Sequence, residues 1–279
     1  MPRVLDILRN LRTAPPLPGV AMRVLQIVRD PEYSTTELVD TVRTDPSLTA
    51  RVLRLCNSAM FSLPAPITSV AEATAFIGTN NLVKLVLVAC AVNHFQRAGT
   101  SIYGSPTDLW RNTFALATTC QWLARRSGRL EANTGFTAGV LHNVGKVVLS
   151  QLPPDATYDQ PPPDADHVAR EALLFGIDHA AAAAVVADAW QLPREIGKAL
   201  RTHHAADGTA DSPLSACLDL AETTVLQAGI GNAFPGAPLT VQPASLACLG
   251  LAAADLESAR AHMMGELARN EELLNLGSA

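Results

Sequence analysis

The chain is poor in aromatic side chains and in charge: aromatics make up 5% of its 279 residues, and Asp, Glu, Lys and Arg together 17%. That balance disfavours both a β-sandwich, which leans on aromatic and β-branched residues, and a disordered chain, which needs charge and little apolar mass. Strand-like alternation is absent. Paired cysteines are absent too, because Cys56, Cys90, Cys120, Cys217 and Cys248 are odd in number and lack metal-ligand spacing. They read as small buried residues of a reducing cytoplasm. The net charge is −5 and no basic run occurs, so the phosphate-neutralising footprint of a general nucleic-acid binder is missing. Met1 to Leu11 alternates charges without the apolar block of an export signal. The most apolar window, Leu82 to Val92, is broken by Lys84 and is about half the length that crosses a bilayer. A cytoplasmic protein with no membrane association is expected. There is no Gly-rich phosphate loop and no internal repeat, and no fused receiver or catalytic domain is expected.

What is present is helix punctuation. Ser34-Thr35-Thr36-Glu37 and Ser69-Val70-Ala71-Glu72 match capping boxes, in which the hydroxyl accepts from an early amide and the Glu reaches back. Asp45-Pro46 and Ser212-Pro213 read as N-caps followed by proline at the first helical position. Apolar residues then recur at helical spacing, as in Leu48, Val52, Leu55 and in Leu214, Leu218, Ala221, Val225. The pattern predicts an all-α fold of roughly a dozen helices, with breaks near Leu63 to Pro66, Gly99 to Pro106, Pro153 to Asp166 and Gly229 to Pro243. The Gly99 to Pro106 loop divides two helical subdomains, residues 1–98 and 107–279. A helix around Asn80 to His94, apolar on more than one side, is expected to pack between them and make one unit. The Pro-rich stretch Pro153 to Pro163 is read as a surface connection. Asp255 to Asn275 reads as one amphipathic helix that either caps the bundle or meets a second copy of the chain. Trp110, Trp122 and Trp190 are assigned to the core.

Ala138-Gly139-Val140-Leu141-His142-Asn143-Val144-Gly145-Lys146 resembles the signature of the HD superfamily of metal phosphohydrolases, with His-Asn in place of His-Asp. A divalent cation that hydrolyses phosphate esters wants carboxylate oxygen beside imidazole nitrogen, since the anionic ligand binds one ion and bridges to a second. Asn143 offers a neutral carbonyl. The resemblance implies an earlier helical His, but Asn112 stands there, on a helix that reads as starting near Leu109. It also implies a late Asp, matched by Asp219, and leaves His179, His203 and His204 as further ligands.

A second resemblance covers roughly Leu17 to Leu226. Leu17-Pro18-Gly19-Val20-Ala21, Asp45 to Ala59, Ile67-Thr68-Ser69-Val70 and Phe76-Ile77-Gly78 are similar to the HDOD (HD-related output domain) family. So are Leu141 to Lys146, Gly176-Ile177-Asp178-His179, Trp190-Gln191-Leu192-Pro193 and His203-His204. That resemblance implies a bacterial signalling module that generally lacks the full catalytic set, with roles in motility, gene expression or other responses. The expectation is therefore an all-helical protein that acts by binding a signalling partner, with no metal and no cofactor. The alternative is a phosphohydrolase of nucleotides or cyclic dinucleotides working through His142, His179, His203 and Asp219. A third reading is a metal-free nucleotide sensor built on the histidines and Lys146.

Each site residue also has a plain structural reading. His142 and Lys146 lie one turn apart, so His142 is either a ligand with Lys146 near a phosphate or a hydrogen-bonded structural His. Asp178 is expected to cap the helix starting at His179. His203 and His204 are adjacent, about 100° apart on a helix, so only one should face any single site. His204 can instead complete an apolar stripe with Ile196 and Leu200. Asp219, among apolar residues, needs a partner, and a nearby His is the preferred one. Asn57 and Ser58 form either a recognition surface or a hydrogen-bonded helix end.

Overall fold

The computed structural model describes residues 19–28, 30, 32–57, 65–96, 103–151, 167–190, 192–205, 211–231, 240–271 and 274. Helices account for its regular structure, and no β-strand occurs among the described residues. The N-terminal layer comprises α1 (Gly19–Ile27), α2 (Thr35–Arg43), α3 (Pro46–Cys56) and the long α4 (Val70–Gln96). Local chemistry sets these boundaries. Ser34 Oγ accepts from the Glu37 amide at 3.4 Å, and Asp45 Oδ1 accepts from the Ser47 and Leu48 amides at 2.9 and 3.0 Å, with Pro46 at the first turn. At α4, Ser69 Oγ accepts from the Glu72 amide, while Glu72 reaches back to the Thr68 amide at 2.9 Å, one residue before the position a capping box predicts.

α4 bends inside its own length. Gly78 takes φ 78°, ψ 160°, a conformation that costs little only without a Cβ, and the Asn81 side-chain amide donates to the Ile77 carbonyl at 2.7 Å beside the break. Beyond it, Leu82, Leu85, Val86, Leu87, Val88, Ala89 and Cys90 are all buried. Such burial on several faces follows from the packing, since α4 lies on α1, α2 and α3 and also on α5 (Pro106–Ser127) and α6 (Ala132–His142). By length and composition the segment Val70–Cys90 passes as a membrane span, and 56% of its most apolar window is buried inside the protein.

The second half is organised around α5. It starts at Pro106, three residues before the predicted Leu109, because Ser105 and Asp108 form a reciprocal capping box at 3.1 and 3.0 Å. Leu109, Trp110, Phe114, Leu116, Cys120 and Leu123 are buried along it, each large apolar side chain contributing about 1.5–3 kcal/mol by leaving water. Against α5 pack α6, α11 (Pro213–Gln227) and α13 (Ala253–Arg269). α13 therefore caps the bundle. Completing the chain are α7 (Val144–Ser150), α8 (His167–Phe175), α9 (His179–Ala189), α10 (Arg194–Thr202) and α12 (Pro243–Leu249). One apolar cluster runs from Ala21 to Leu274 through both halves. The Pro-rich stretch, Ser58, and residues 99–102 of the Gly99 to Pro106 loop lie outside the described residues.

Candidate functional site

α6 ends at His142 and α7 begins at Val144, so Asn143 (φ −83°, ψ 4°) is at once the cap of one and the entry to the other. α7 then lies directly on the first turn of α9. A Cβ on Gly145 would stand 2.0 Å from the His179 carbonyl oxygen, so only glycine permits this approach. Asp178 caps α9 by accepting from the Ala181 amide at 2.7 Å and thereby fixes where His179 enters. His203 is the C-cap of α10 and His204 follows it, outside the helix. Both rings nonetheless turn to the same centre, their centroids 4.0 Å apart, against the expectation that only one can.

The centre is the Glu222 carboxylate from α11. Its Oε1 receives the Lys146 ammonium at 3.1 Å and faces His167 Nε2 at 3.7 Å; its Oε2 faces the Nε2 atoms of His142, His204 and His203 at 3.4, 3.4 and 3.8 Å. The imidazoles also meet in pairs, His142 Nε2 with His203 Nε2 and His179 Nε2 with His204 Nε2, both at 3.1 Å. His142, Asn143, His179 and His203 are fully buried, whereas His204 and His167 keep 21% and 18% of their side chains exposed and form the rim.

A hydrogen-bond relay fixes the protons. The Ile230 carbonyl can only accept, so Asn112 Nδ2 donates to it at 3.0 Å; Asn112 Oδ1 then accepts from Asn143 Nδ2 at 2.7 Å. Thr113 Oγ1 takes the other Asn143 amide proton at 2.9 Å. Asn143 Oδ1 is left to accept from His142 Nδ1 at 3.1 Å. His203 Nδ1 donates to the Leu200 carbonyl at 2.8 Å, and Glu171 Oε2 takes both the backbone and the Nδ1 protons of His179 at 2.6 and 2.7 Å. With each Nδ1–H spent outward, the Nε2 lone pairs of His142, His179 and His203 point inward. Two such lone pairs 3.1 Å apart are reconciled by a cation between them, a proton or a metal ion.

Burial decides against protons on most rings. Desolvation, helped by Lys146 and His204, holds His179 well below the usual imidazole range; desolvation with His204 and His142 does the same to His203, and burial takes His204 down to about 3. Burial alone would raise Glu222, but Lys146, His142 and His204 outweigh it and keep the carboxyl well below its ordinary value. Glu171, by contrast, is pushed up to about 8 by burial.

The donors fit a divalent transition metal. His142, His179, His203 and Glu222 place ligand atoms within 4.8 Å of one another, and His167, His179, His204 and Glu222 form a second group sharing two members with the first. Imidazole with one carboxylate suits such ions, and the outward bonds to Glu171, Leu200 and Asn143 are the supports that orient metal-bound imidazoles. The expectation of no metal counted Asn112 and Asn143 as lost ligands; the chain supplies Glu222 and His167 in the same space.

The structure thus gathers His142, Lys146, His179, His203 and His204, with Asn112 and Asn143 along one wall. Asp219 is elsewhere. Its Oδ2 accepts from Ser245 Oγ on α12 at 2.6 Å instead of meeting a His, and burial raises it to about 6. The late carboxylate is Glu222, one turn further along α11, and the same cost that flagged Asp219 applied equally to Glu222, which sits among Leu218, Ala221 and Val225. Glu171 and His167 carried no such signal. At Asn57, the amide side chain closes a two-bond clasp with the Ile67 backbone, at 2.8 and 2.7 Å, which is the helix-end role.

A family profile described as the HDOD domain matches residues 14–206. An uncharacterised protein of Treponema pallidum (strain Nichols) is 25% identical over 201 residues, 68% of this chain and 37% of that protein, so the chain matches little more than a third of that relative's length. Among solved structures, an HDOD domain protein of unknown function from Geobacter sulfurreducens superposes with a TM-score of 0.74 at 21% identity, covering 98% of this chain and 96% of that one. A candidate signal transduction protein from Marinobacter aquaeolei VT8 gives 0.78 at 22%, covering 99% and 65%. A candidate phosphohydrolase from Shewanella amazonensis SB2B gives 0.62 at 22%, covering 92% and 97%. These likenesses establish the helical fold, and the profile match, over more than half of the sequence, establishes the family: the chain belongs to the HDOD domain family.

Proposed function

We propose that this protein is a bacterial cytoplasmic signal-transduction output module that works by binding a protein partner, without turnover. The observation that carries this reading is the Asn112–Asn143–Thr113 network. The two positions where the HD signature places an imidazole and a bridging carboxylate hold amides, and those amides are satisfied by one another, by Thr113 and by the Ile230 carbonyl. A buried, internally satisfied polar network rigidifies a fold and leaves neither amide free to bridge metals or activate water. Lys146, which would meet a phosphate, already meets Glu222 at 3.1 Å.

A second reading, a metal-dependent phosphohydrolase, is favoured by one specific feature, the convergence of five histidines on Glu222. A metal held by His142, His179, His203 and Glu222 would supply Lewis-acid polarisation of a phosphate oxygen. The residues of this chain would orient it through Glu171 and Leu200, and the exposed edges of His204 and His167 would face an incoming substrate. The test is hydrolysis of bis(p-nitrophenyl) phosphate and of cyclic dinucleotides by the full chain with Mn²⁺, beside His142→Ala. Equal background rates for both support the output reading; turnover abolished by His142→Ala establishes the hydrolase.

A further inference from the structure

A second polar cavity lies away from the histidine centre, where α4 of the N-terminal layer meets α5, α6 and α13. It has a volume of about 150 Å³ and is lined on its apolar side by Leu85, Val88 and Phe136. Lys84 reaches it from α4 although only 9% of the residue is exposed. Its ammonium has three donors, and the contacts found for it among the described residues are one hydrogen bond to Asn81 Oδ1 at 3.2 Å and the Phe136 ring, 5.5 Å away at its centroid. No carboxylate lies within ion-pair distance of it among the described residues. Gln121, also on the lining, has its Nε2 buried with no hydrogen-bond partner among those residues. The guanidinium of Arg125 adds a second positive charge. The acid on the opposite wall, Glu266, is engaged by Arg269 and Asn270, with His262 at 4.0 Å.

A buried cation with no carboxylate in ion-pair contact, Glu131 acting on it only from beyond that distance, is costly, and an orphaned amide donor beside it adds to the cost. Both costs vanish if the cavity takes an anion. A 150 Å³ apolar cavity holds a six-membered ring, so the space here suits a ring with its acidic head turned to the polar wall. We propose that this cavity binds a small organic oxyanion, a carboxylate or phosphate on an aromatic or short apolar body, with the head at Lys84, Arg125 and Gln121 and the body against Leu85, Val88 and Phe136. Desolvation, with Arg125 beside it and only Glu131 opposing, lowers Lys84 to about 8. Because α4 belongs to one half and α5, α6 and α13 to the other, an occupant bridges the seam between them. The proposal does not depend on whether the histidine centre hydrolyses anything.

The experiment is calorimetric titration of the full chain with benzoate, phenyl phosphate and neutral benzyl alcohol, repeated on Lys84→Met and on Arg125→Gln, which changes an exposed side chain and leaves the core intact. The expected result is one site for benzoate or phenyl phosphate, the stronger of the two naming the head group, with no measurable binding of benzyl alcohol. Affinity should fall about tenfold or more in Lys84→Met and several-fold in Arg125→Gln. Absence of binding of either anion to the wild type, equal binding of benzyl alcohol, or undiminished affinity in Arg125→Gln would each overturn the proposal.

Discussion

Lys146 and Lys84 are buried to the same degree, each 9% exposed, in opposite circumstances. Lys146 faces the Glu222 carboxylate at 3.1 Å inside a cluster whose protons are assigned by a relay of hydrogen bonds. Lys84 has one amide oxygen, an aromatic ring and a cavity. Burial alone therefore says little about what a charge is for; the partner within about 4 Å decides it. The histidine centre pairs its lysine with a carboxylate, while the Lys84 cavity leaves its lysine without one in ion-pair contact and has room for an occupant.

Removing the counter-ion from the histidine centre is expected to have the largest effect. Glu222→Ala leaves Lys146 buried and unpaired, and breaking such a pair costs about 3–5 kcal/mol, to be read from urea denaturation; a loss no greater than that of a surface substitution would show that water already serves Lys146. Asn143→Asp comes next. It turns a donor to Asn112 Oδ1 into a charged acceptor, so the metal-free chain should lose roughly 3 kcal/mol, and added Mn²⁺ should restore part of it by giving the carboxylate a partner. Restoration by Mn²⁺ of the wild type to the same extent would mean that Asn143 is already bypassed.

The Lys84 site should respond with the opposite sign. Lys84→Met removes a desolvated charge and keeps the apolar stem, so it should stabilise the chain by about 2 kcal/mol at neutral pH. The pH dependence follows from the lowered value: the native state gives up the Lys84 proton near 8 while the unfolded chain holds it to 10.5. The penalty is thus complete below pH 8 and fades toward 10.5, and wild-type stability should rise across that window relative to Lys84→Met. A parallel pair of profiles would show that Lys84 is solvated. The smallest effect is expected at Asn57→Ala, which forfeits the clasp on Ile67 and should cost about 1 kcal/mol in thermal melts.

What the sequence revealed depended on range. Ser34, Asp45, Ser69, Asp178 and Ser212 announce helix starts because a cap involves atoms only two or three residues apart. His142 and Asn143 stood out through a resemblance that spans the chain. Glu222 did not, since nothing local distinguishes it from Asp219, and only the packing of α11 against α5 and α6 decides which of two acids a turn apart reaches the histidines. Likewise the pairing His203-His204, read at helical spacing, hides that both rings converge on Glu222. Lys84 marked an interruption of an apolar window; that it lines a cavity depends on α13, far along the chain.

Asn112 and Asn143 form the relay that sets the His142 tautomer. Long-range ¹H–¹⁵N correlation spectra of the metal-free full chain at neutral pH read that assignment directly. The relay predicts a proton on Nδ1 of His142, lost to a mixture of tautomers in Asn112→Ala. A wild-type His142 protonated at Nε2, with Nδ1 bare against Asn143, would contradict it.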